Sequence, residues 1–556
     1  MSDVLFVIMI LGGTILLSWP LGRYMKWAMD PAAGEAGGFT GAFEAVGGKA
    51  AAATQDWKQY LIALLAFNVA MFLVCFGILS LQQFLPLNPD GMGAIEGSLI
   101  FNTTASFVTN TNLQHYSGES TLSYLSQLGA LMWLQFVSAA TGIAALAALA
   151  RALSGRRIVG NFFVDVQRAS FLVLLPLALI VATLMVFGGM PMTFEGKAIA
   201  TTLEGVEQAI ARGPVAAFLT IKQLGTNGGG FFGPNSTHPL ENPTFWTNAL
   251  SIFCIIIIPM ACVWMFGRMV GRIRHAAIVF GVMLSIVVAN IGFAVYFEKA
   301  PTQAFAELPI AQDVGNLEGK EMRFGSTSGP TWAVLTTSTS NGSVGAMHDS
   351  LNPMTGLFPM IGMWLNENFG GVGVGMINMF LYIIVAVFIA GMMVGRTPEY
   401  MGWRVESREV KLAVLALLAH AFLILVPTAL FAATPWGAGT LNNVGPHGFS
   451  EILYEFSSSS ANNGSGFEGL GDNTVPWNIA TGIVMLLARF IPIILPLAIV
   501  GSMVAKRRTA ETTGSLGVED GTFFIMLLTV ILVMGALTFF PAATLGPIAE
   551  HFIFMK

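Results

Sequence analysis

Of the 556 residues, 54% are hydrophobic and 10% charged, where soluble domains carry about 25% charged residues, so the composition describes an all-α polytopic membrane protein. The net charge of -5, with 26 dispersed Lys and Arg, excludes a basic nucleic-acid surface. Cys75, Cys254 and Cys262 sit in apolar runs without CxxC or His-ligand spacing; they read as small core or lipid-facing residues, not as a disulfide or a metal site.

A bilayer span needs ~20 apolar residues, and ten stretches qualify: 3–22, 60–84, 126–150, 169–188, 246–267, 276–297, 372–395, 411–433, 478–505 and 521–545. The first follows Asp3 and has neither a basic leader nor a small-residue cleavage site, so it is expected to stay as a helix. An even number of spans puts both termini on one side. Loops 23–58, 151–168, 268–275, 396–411 and 506–508 hold 18 of the 26 Lys and Arg. The positive-inside rule makes these loops cytoplasmic and both termini external.

The four long external connections, 85–125, 189–245, 298–371 and 434–477, each carry a small polar stretch with an Asn followed by Thr or Gly. Aligning Asn110, Asn227, Asn341 and Asn463 gives spacings of 117, 114 and 122 residues, a fourfold internal repeat. A half-span apolar run precedes each: 98–108, 214–224, 330–338 and 446–457. Three of these open on Pro214, Pro330 or Pro446, as suits a first helical turn. The predicted unit is helix, descending half-helix, extended polar return, helix. Four such units are expected, 60–150, 151–275, 276–410 and 411–508, with 1–59 and 509–556 bringing the first and tenth spans as additions around a central pore.

Non-helical backbone at membrane depth must be buried in protein or line a watery cavity, so the repeats are expected to face one another. Half-helices entering from outside direct their partially negative C-terminal ends inward, and the carbonyls beyond them can replace a cation's hydration shell. The expected ligand stretches are Asn110, Thr111 and Asn112; Asn227, Gly228 and Gly229; Asn341, Gly342 and Ser343; and Asn463, Gly464 and Ser465. Gly228, Gly342 and Gly464 permit backbone geometry closed to other residues, and Thr111 takes the equivalent place in the first unit. Alone, the four serines 457–460 with the Ala461-Asn462-Asn463-Gly464 after them read as a flexible linker, and the triple glycine 228–230 as a plain turn; four matched contexts favour a ring. Arg489 lies seventeen residues before Lys506, ~25 Å along a helix, so it is placed inside the bilayer as a pore or coupling candidate. Glu367 reads as a solvated loop carboxylate. The glycines at 370, 371, 373 and 375 either break the seventh span or let it pack closely.

Several longer motifs carry a resemblance: Asn110-Thr111-Asn112 with Tyr116-Ser117-Gly118-Glu119, the run 225–232 followed by His238-Pro239, Ala346-Met347-His348-Asp349-Ser350, Gly395-Arg396-Thr397-Pro398-Glu399-Tyr400, and Gly445-Pro446-His447-Gly448-Phe449-Ser450-Glu451. Over nearly its full length the chain resembles the potassium-binding A subunits of the Kdp potassium-transporting ATPases. That resemblance implies a potassium ion as cargo, no organic cofactor, and filter positions at Thr111, Gly228, Gly342 and Gly464 with Gln114 just beyond the first. It also implies a broken or mobile helix in the third unit. The implied setting is a bacterial or archaeal inner membrane, and the implied partners are those of the Kdp complex: its P-type ATPase, which is the B subunit, its C subunit and its small single-span F subunit. Asn341 stands where some relatives are expected to carry Cys, a change beside the carbonyl chemistry.

The chain has no Gly-x4-Gly-Lys-Ser/Thr loop and no Asp-Lys-Thr-Gly motif, and its cytoplasmic loops are too short for a nucleotide domain, so it reads as a non-catalytic transport subunit. His348-Asp349-Ser350, adjacent in sequence, make no triad without other parts and read as structural. Two other readings remain at this point. A self-sufficient potassium channel or cation symporter predicts transport by this chain alone; a scaffold or membrane enzyme predicts no cation binding.

Overall fold

The computed structural model describes residues 3–31, 53–301, 308–309, 311–395, 397–509 and 517–554. Most of loop 23–58 and Arg396 therefore lie outside the described residues. Among those described, ten helices are long and apolar enough to cross a membrane: α1 (Val4–Met29), α2 (Trp57–Ser80), α4 (Ser126–Leu153), α5 (Phe162–Phe187), α7 (Phe245–Met269), α8 (Ile273–Lys299), α11 (Val374–Val394), α12 (Ser407–Ala432), α14 (Val475–Val504) and α15 (Gly521–Leu545). All ten predicted spans are present. Between them lie four half-length helices, α3 (Gly97–Val108), α6 (Val215–Leu224), α9 (Gly325–Ser338) and α13 (Pro446–Ala461), together with α10 (Pro353–Leu365) and the short terminal α16 (Pro547–Phe554).

Side-chain size decides which spans are central. The run 138–150 of α4 consists of Ala, Ser, Thr and Gly with only Ile143, Leu146 and Leu149 larger, and small residues let neighbouring backbones close in. The most apolar window of α4 is accordingly 94% buried, against 17% for α2. In chain order each half-helix lies between two spans, as α2–α3–α4, α5–α6–α7, α8–α9–α10–α11 and α12–α13–α14. Polar caps start several of these helices: Asp56 closes a capping box with Gln59 on α2 and Thr244 with Thr247 on α7. On the side of the 151–168 loop, Arg151 is buried and pairs with Asp165 at 2.6 Å, while Tyr60 donates to the same carboxylate at 2.9 Å. This arginine locks units together instead of facing water.

Two local expectations, and one reading of a stretch taken alone, need correction. Pro330 does not open its half-helix; α9 begins five residues earlier at Gly325, and Pro330 lies inside it. The serines 457–460 are the last turn of α13, not a linker. The connection 298–371 is not simply extended, because α10 precedes a break at 366–373 and α11 resumes after it.

Candidate cation-binding ring

Each half-helix ends by the same device. At Asn110, Thr226, Ser340 and Asn462 the backbone turns left-handed, with φ of 64, 48, 50 and 51°. The next amide reaches back five residues: Thr111 N–H to Ser106 O at 2.9 Å, Asn227 to Lys222 at 2.9 Å, Asn341 to Thr336 at 2.8 Å, and Asn463 to Ser458 at 2.9 Å. The left-handed residue itself donates three residues back, to Phe107, Gln223, Thr337 and Ser459. These paired bonds are the Schellman ending of a helix. One residue later φ is positive again, at Asn112 (57°), Gly228 (84°), Gly342 (88°) and Gly464 (99°).

This geometry shifts the first unit's register by one residue. Thr111 corresponds to Asn227, Asn341 and Asn463, whereas Asn112 is the counterpart of the three glycines. The sequence alignment on Asn110 missed this because Asn, unlike most residues, tolerates left-handed backbone and so replaces Gly there.

The loops close on one another in chain order. A Cβ built on Gly228 would fall 1.8 Å from Asn341 O, one on Gly342 1.9 Å from Asn463 O, and one on Gly464 2.0 Å from Thr111 O. The circuit closes at Gly229, whose Cβ would meet Asn112 Cβ at 2.8 Å. Side-chain amides stitch the seams: Asn110 Nδ2 donates to Thr226 O at 2.8 Å, and Asn463 Nδ2 to Thr336 O at 2.8 Å. Asn462 Nδ2 donates to Thr111 Oγ1 at 2.9 Å. Asn341 and Asn463 also accept at Oδ1 the N–H of Ser343 (2.9 Å) and Ser465 (3.1 Å), which holds the return strands. The side-chain amide of Asn112, fully buried, has no hydrogen-bond partner among the described residues at either polar atom.

Above the ring a cavity of about 460 Å³ takes its walls from all four units, among them Gln114, Asn235, Val344, Gly464 and Asp472. Gln114 lines this mouth while its amide grips the backbone of the second loop, donating to Gly230 O at 3.0 Å and accepting from Gly230 N–H at 2.6 Å. Beside it, His115 is buried with Nε2 3.2 Å from Glu455 and Nδ1 2.7 Å from Asn478 Oδ1.

Below the ring lies the break between α10 and α11. Val372 N–H donates to Thr226 Oγ1 at 3.0 Å, and a Cβ on Gly371 would lie within 4 Å of Thr226, Ser340 and Arg489. Gly142 and Gly373 make the approach to α4 possible, since a Cβ on either would collide with backbone oxygen of the other segment. Arg489, 3% exposed, donates through Nη2 to Ser138 O at 3.1 Å, and Ser138 Oγ donates to Asn110 Oδ1 at 2.8 Å. No carboxylate partner for Arg489 is present among the described residues. Glu367 corrects its sequence reading: it is fully buried at the break, not solvated.

Three residues escaped sequence reasoning. Lys222, inside the second half-helix, is fully buried and pairs with buried Glu241 at 2.7 Å, next to Asn235. A lysine in an apolar run is itself a signal, but its partners lie in a loop that has no periodicity. His348 and Asp349 are structural, bonding to Tyr454 Oη at 2.8 Å and His447 Nε2 at 2.7 Å.

Ten helices long and apolar enough to cross a membrane, among the described residues, with four half-length helices between them whose ends meet in a ring, define an all-α multi-pass membrane protein. Residues 7–552 match the family described as Potassium-transporting ATPase A subunit, and the chain belongs to that family. Among its relatives, each described as a potassium-transporting ATPase potassium-binding subunit, the one from Flavobacterium johnsoniae is 47% identical, covering 99% of both chains. That from Pseudomonas aeruginosa is 50% identical over 90% of this chain and 89% of its own. The Geobacillus kaustophilus protein is 45% identical over 97% of each.

Proposed function

We propose that this chain is the potassium-binding, selecting subunit of an ATP-driven import complex, with the ring of four loops as its filter. Potassium enters from the external mouth, loses its water to carbonyls contributed by residues 111–112, 227–228, 341–342 and 463–464, and passes inward under control of a separate ATP-hydrolysing chain. The single observation that carries this reading is the fourfold Schellman ending with ring closure, which turns each unit's backbone at the same place. Four half-helix C-termini aimed at one region also favour a cation there. Each unit, 60–150, 151–275, 276–410 and 411–508, supplies one quadrant.

The partners in this proposal are the P-type ATPase or B subunit, the C subunit and the single-span F subunit of a Kdp complex, in a bacterial or archaeal inner membrane with both termini of this chain external. The buried Arg489 and the 366–373 break directly beneath the ring support a controlled passage over an open channel. The test is co-expression with the ATP-hydrolysing chain, followed by measurement of ATP hydrolysis against potassium and of uptake into vesicles by the complex and by this chain alone. Potassium-stimulated hydrolysis with uptake only by the complex is expected. Potassium-specific uptake by this chain alone would make it a self-sufficient channel.

A further inference from the structure

The four loop ends differ in what stands behind them. Lys222 occupies, in the second unit, the position held by Ser106, Thr336 and Ser458 in the others, five residues before the returning amide. Its buried ammonium donates to Glu241 Oε2 (2.7 Å), Ser236 Oγ (2.8 Å) and Asn235 Oδ1 (2.5 Å), which uses all three of its donors. The other oxygen of Glu241 accepts the backbone N–H groups of Phe231 (2.6 Å) and Phe232 (3.0 Å). A buried pair with every polar atom engaged is the form that a low-dielectric interior tolerates.

Asn235 is where this network touches the ring. Its Oδ1 accepts from Lys222, from Ser236 N–H (2.8 Å) and, across the seam, from Val344 N–H of the third loop (3.2 Å). Three donors on one side identify the oxygen, so the opposite side of the amide is the donor. That Nδ2 donates to the Gly228 carbonyl at 2.8 Å. No side-chain donor reaches the equivalent carbonyls of Asn112, Gly342 or Gly464 among the described residues.

We propose that Asn235 is a positioning residue for ion selection: it fixes and polarises the Gly228 carbonyl, and the Lys222–Glu241 pair holds its amide the right way round. The proposal rests on the ring being the potassium site. A carbonyl that already accepts a fixed N–H offers a cation a weaker field, and the number and field of the carbonyls is one basis of discrimination in such rings. One muted quadrant favours a large, weakly hydrated cation over a small, strongly hydrated one. It also prevents the Gly228 peptide from swinging when the ion leaves.

The variant that tests this bond is Asn235→Asp, which keeps the size and an acceptor oxygen for Lys222 but replaces the N–H donor with a carboxylate oxygen and adds a charge. It is read beside Asn235→Ser, which withdraws the amide donor without adding charge. In the complex assembled with its ATP-hydrolysing partner, hydrolysis is measured against potassium, rubidium, ammonium and sodium. Half-saturating potassium is expected to rise at least tenfold with the maximal rate within twofold, and the preference for potassium over sodium to narrow by a similar factor. The pair Lys222→Met with Glu241→Met should move both quantities the same way. Gly342→Ala serves as the control on the ring itself. If Gly342→Ala shifts affinity while Asn235→Asp keeps wild-type half-saturation and ion order, Asn235 has no positioning role; if neither shifts affinity, the ring reading fails first. A fall in maximal rate at unchanged half-saturation would overturn the proposal. So would failure of both Asn235→Asp and Asn235→Ser to assemble, which would make Asn235 a folding residue.

Discussion

At Asn112 the backbone is left-handed and the residue is buried, so a β-branched side chain there costs roughly 1–2 kcal/mol in backbone strain alone. Thr111, one residue earlier, has no such turn. Asn112→Val is therefore expected to raise half-saturating potassium at least tenfold above Asn112→Gly, whereas Thr111→Val and Thr111→Gly should differ by less than threefold. Titration of potassium-stimulated hydrolysis in the four variants checks the register, and the opposite ranking would restore Thr111 as the counterpart of the glycines. Arg489 belongs to this scale too. It brings a fixed positive charge to the underside of the ring, with no carboxylate partner among the described residues, and Ser138 links it to Asn110. Arg489→Ala should leave assembly intact and lower the potassium moved per ATP by several-fold. An unchanged ratio in reconstituted vesicles would remove Arg489 from the coupling.

Among the elements, α16 is held to the N-terminal end of α13 through His447, whose Nδ1 lies 2.8 Å from Glu550 and Nε2 2.7 Å from Asp349. Burial by itself lowers the pKa of His447, but its hydrogen bonds to Asp349 and Glu550 outweigh burial and raise it to about 10. A pKa raised on folding gives its full stabilisation below the ordinary imidazole value of ~6.5 and loses it as the pH climbs through the folded value. The docking of α16 should thus be firm at pH 6 and weaken progressively toward pH 10. Amide exchange across 547–554, corrected for its intrinsic pH dependence, should rise over that window and be fast and nearly flat in His447→Ala. Equal protection in the variant and the parent would show that α16 is held by its apolar face.

For the whole molecule, the proposed four-unit division leaves the first and tenth spans as additions. Along α1, Gly22 lets α7 approach so closely that a Cβ would lie 2.5 Å from Trp264 Cβ and 2.8 Å from Ala261 O, and Ser18 accepts the Trp264 indole N–H at 3.1 Å. Gly22→Leu should force these helices apart and cost ~1–3 kcal/mol by overpacking, lowering the melting temperature and the yield of complex. The ion preference of whatever assembles should stay that of the parent. A well-assembled Gly22→Leu complex that prefers sodium would show that α1 helps shape the ring.

What the sequence determined by itself was whatever depends on composition and local backbone chemistry. Ten apolar runs became ten spanning helices because a helix satisfies its backbone hydrogen bonds internally where lipid offers none, and the four small polar stretches appeared as turns because Gly and Asn accept left-handed geometry. The glycines at 370, 371, 373 and 375 were legible only as a break or a close contact, and the structure shows both, a break at 366–373 and the approach of Gly373 to Gly142. Tertiary structure alone decided what depends on residues far apart in the chain. The register of the first loop is set by which carbonyl its neighbour's glycine touches. Glu367 is buried because the break folds back beneath the ring, and the charge of Lys222 is tolerable only because Glu241, Ser236 and Asn235 return to it from a loop without periodicity. Such partners satisfy a buried polar group through space, and spacing along the chain carries no record of that.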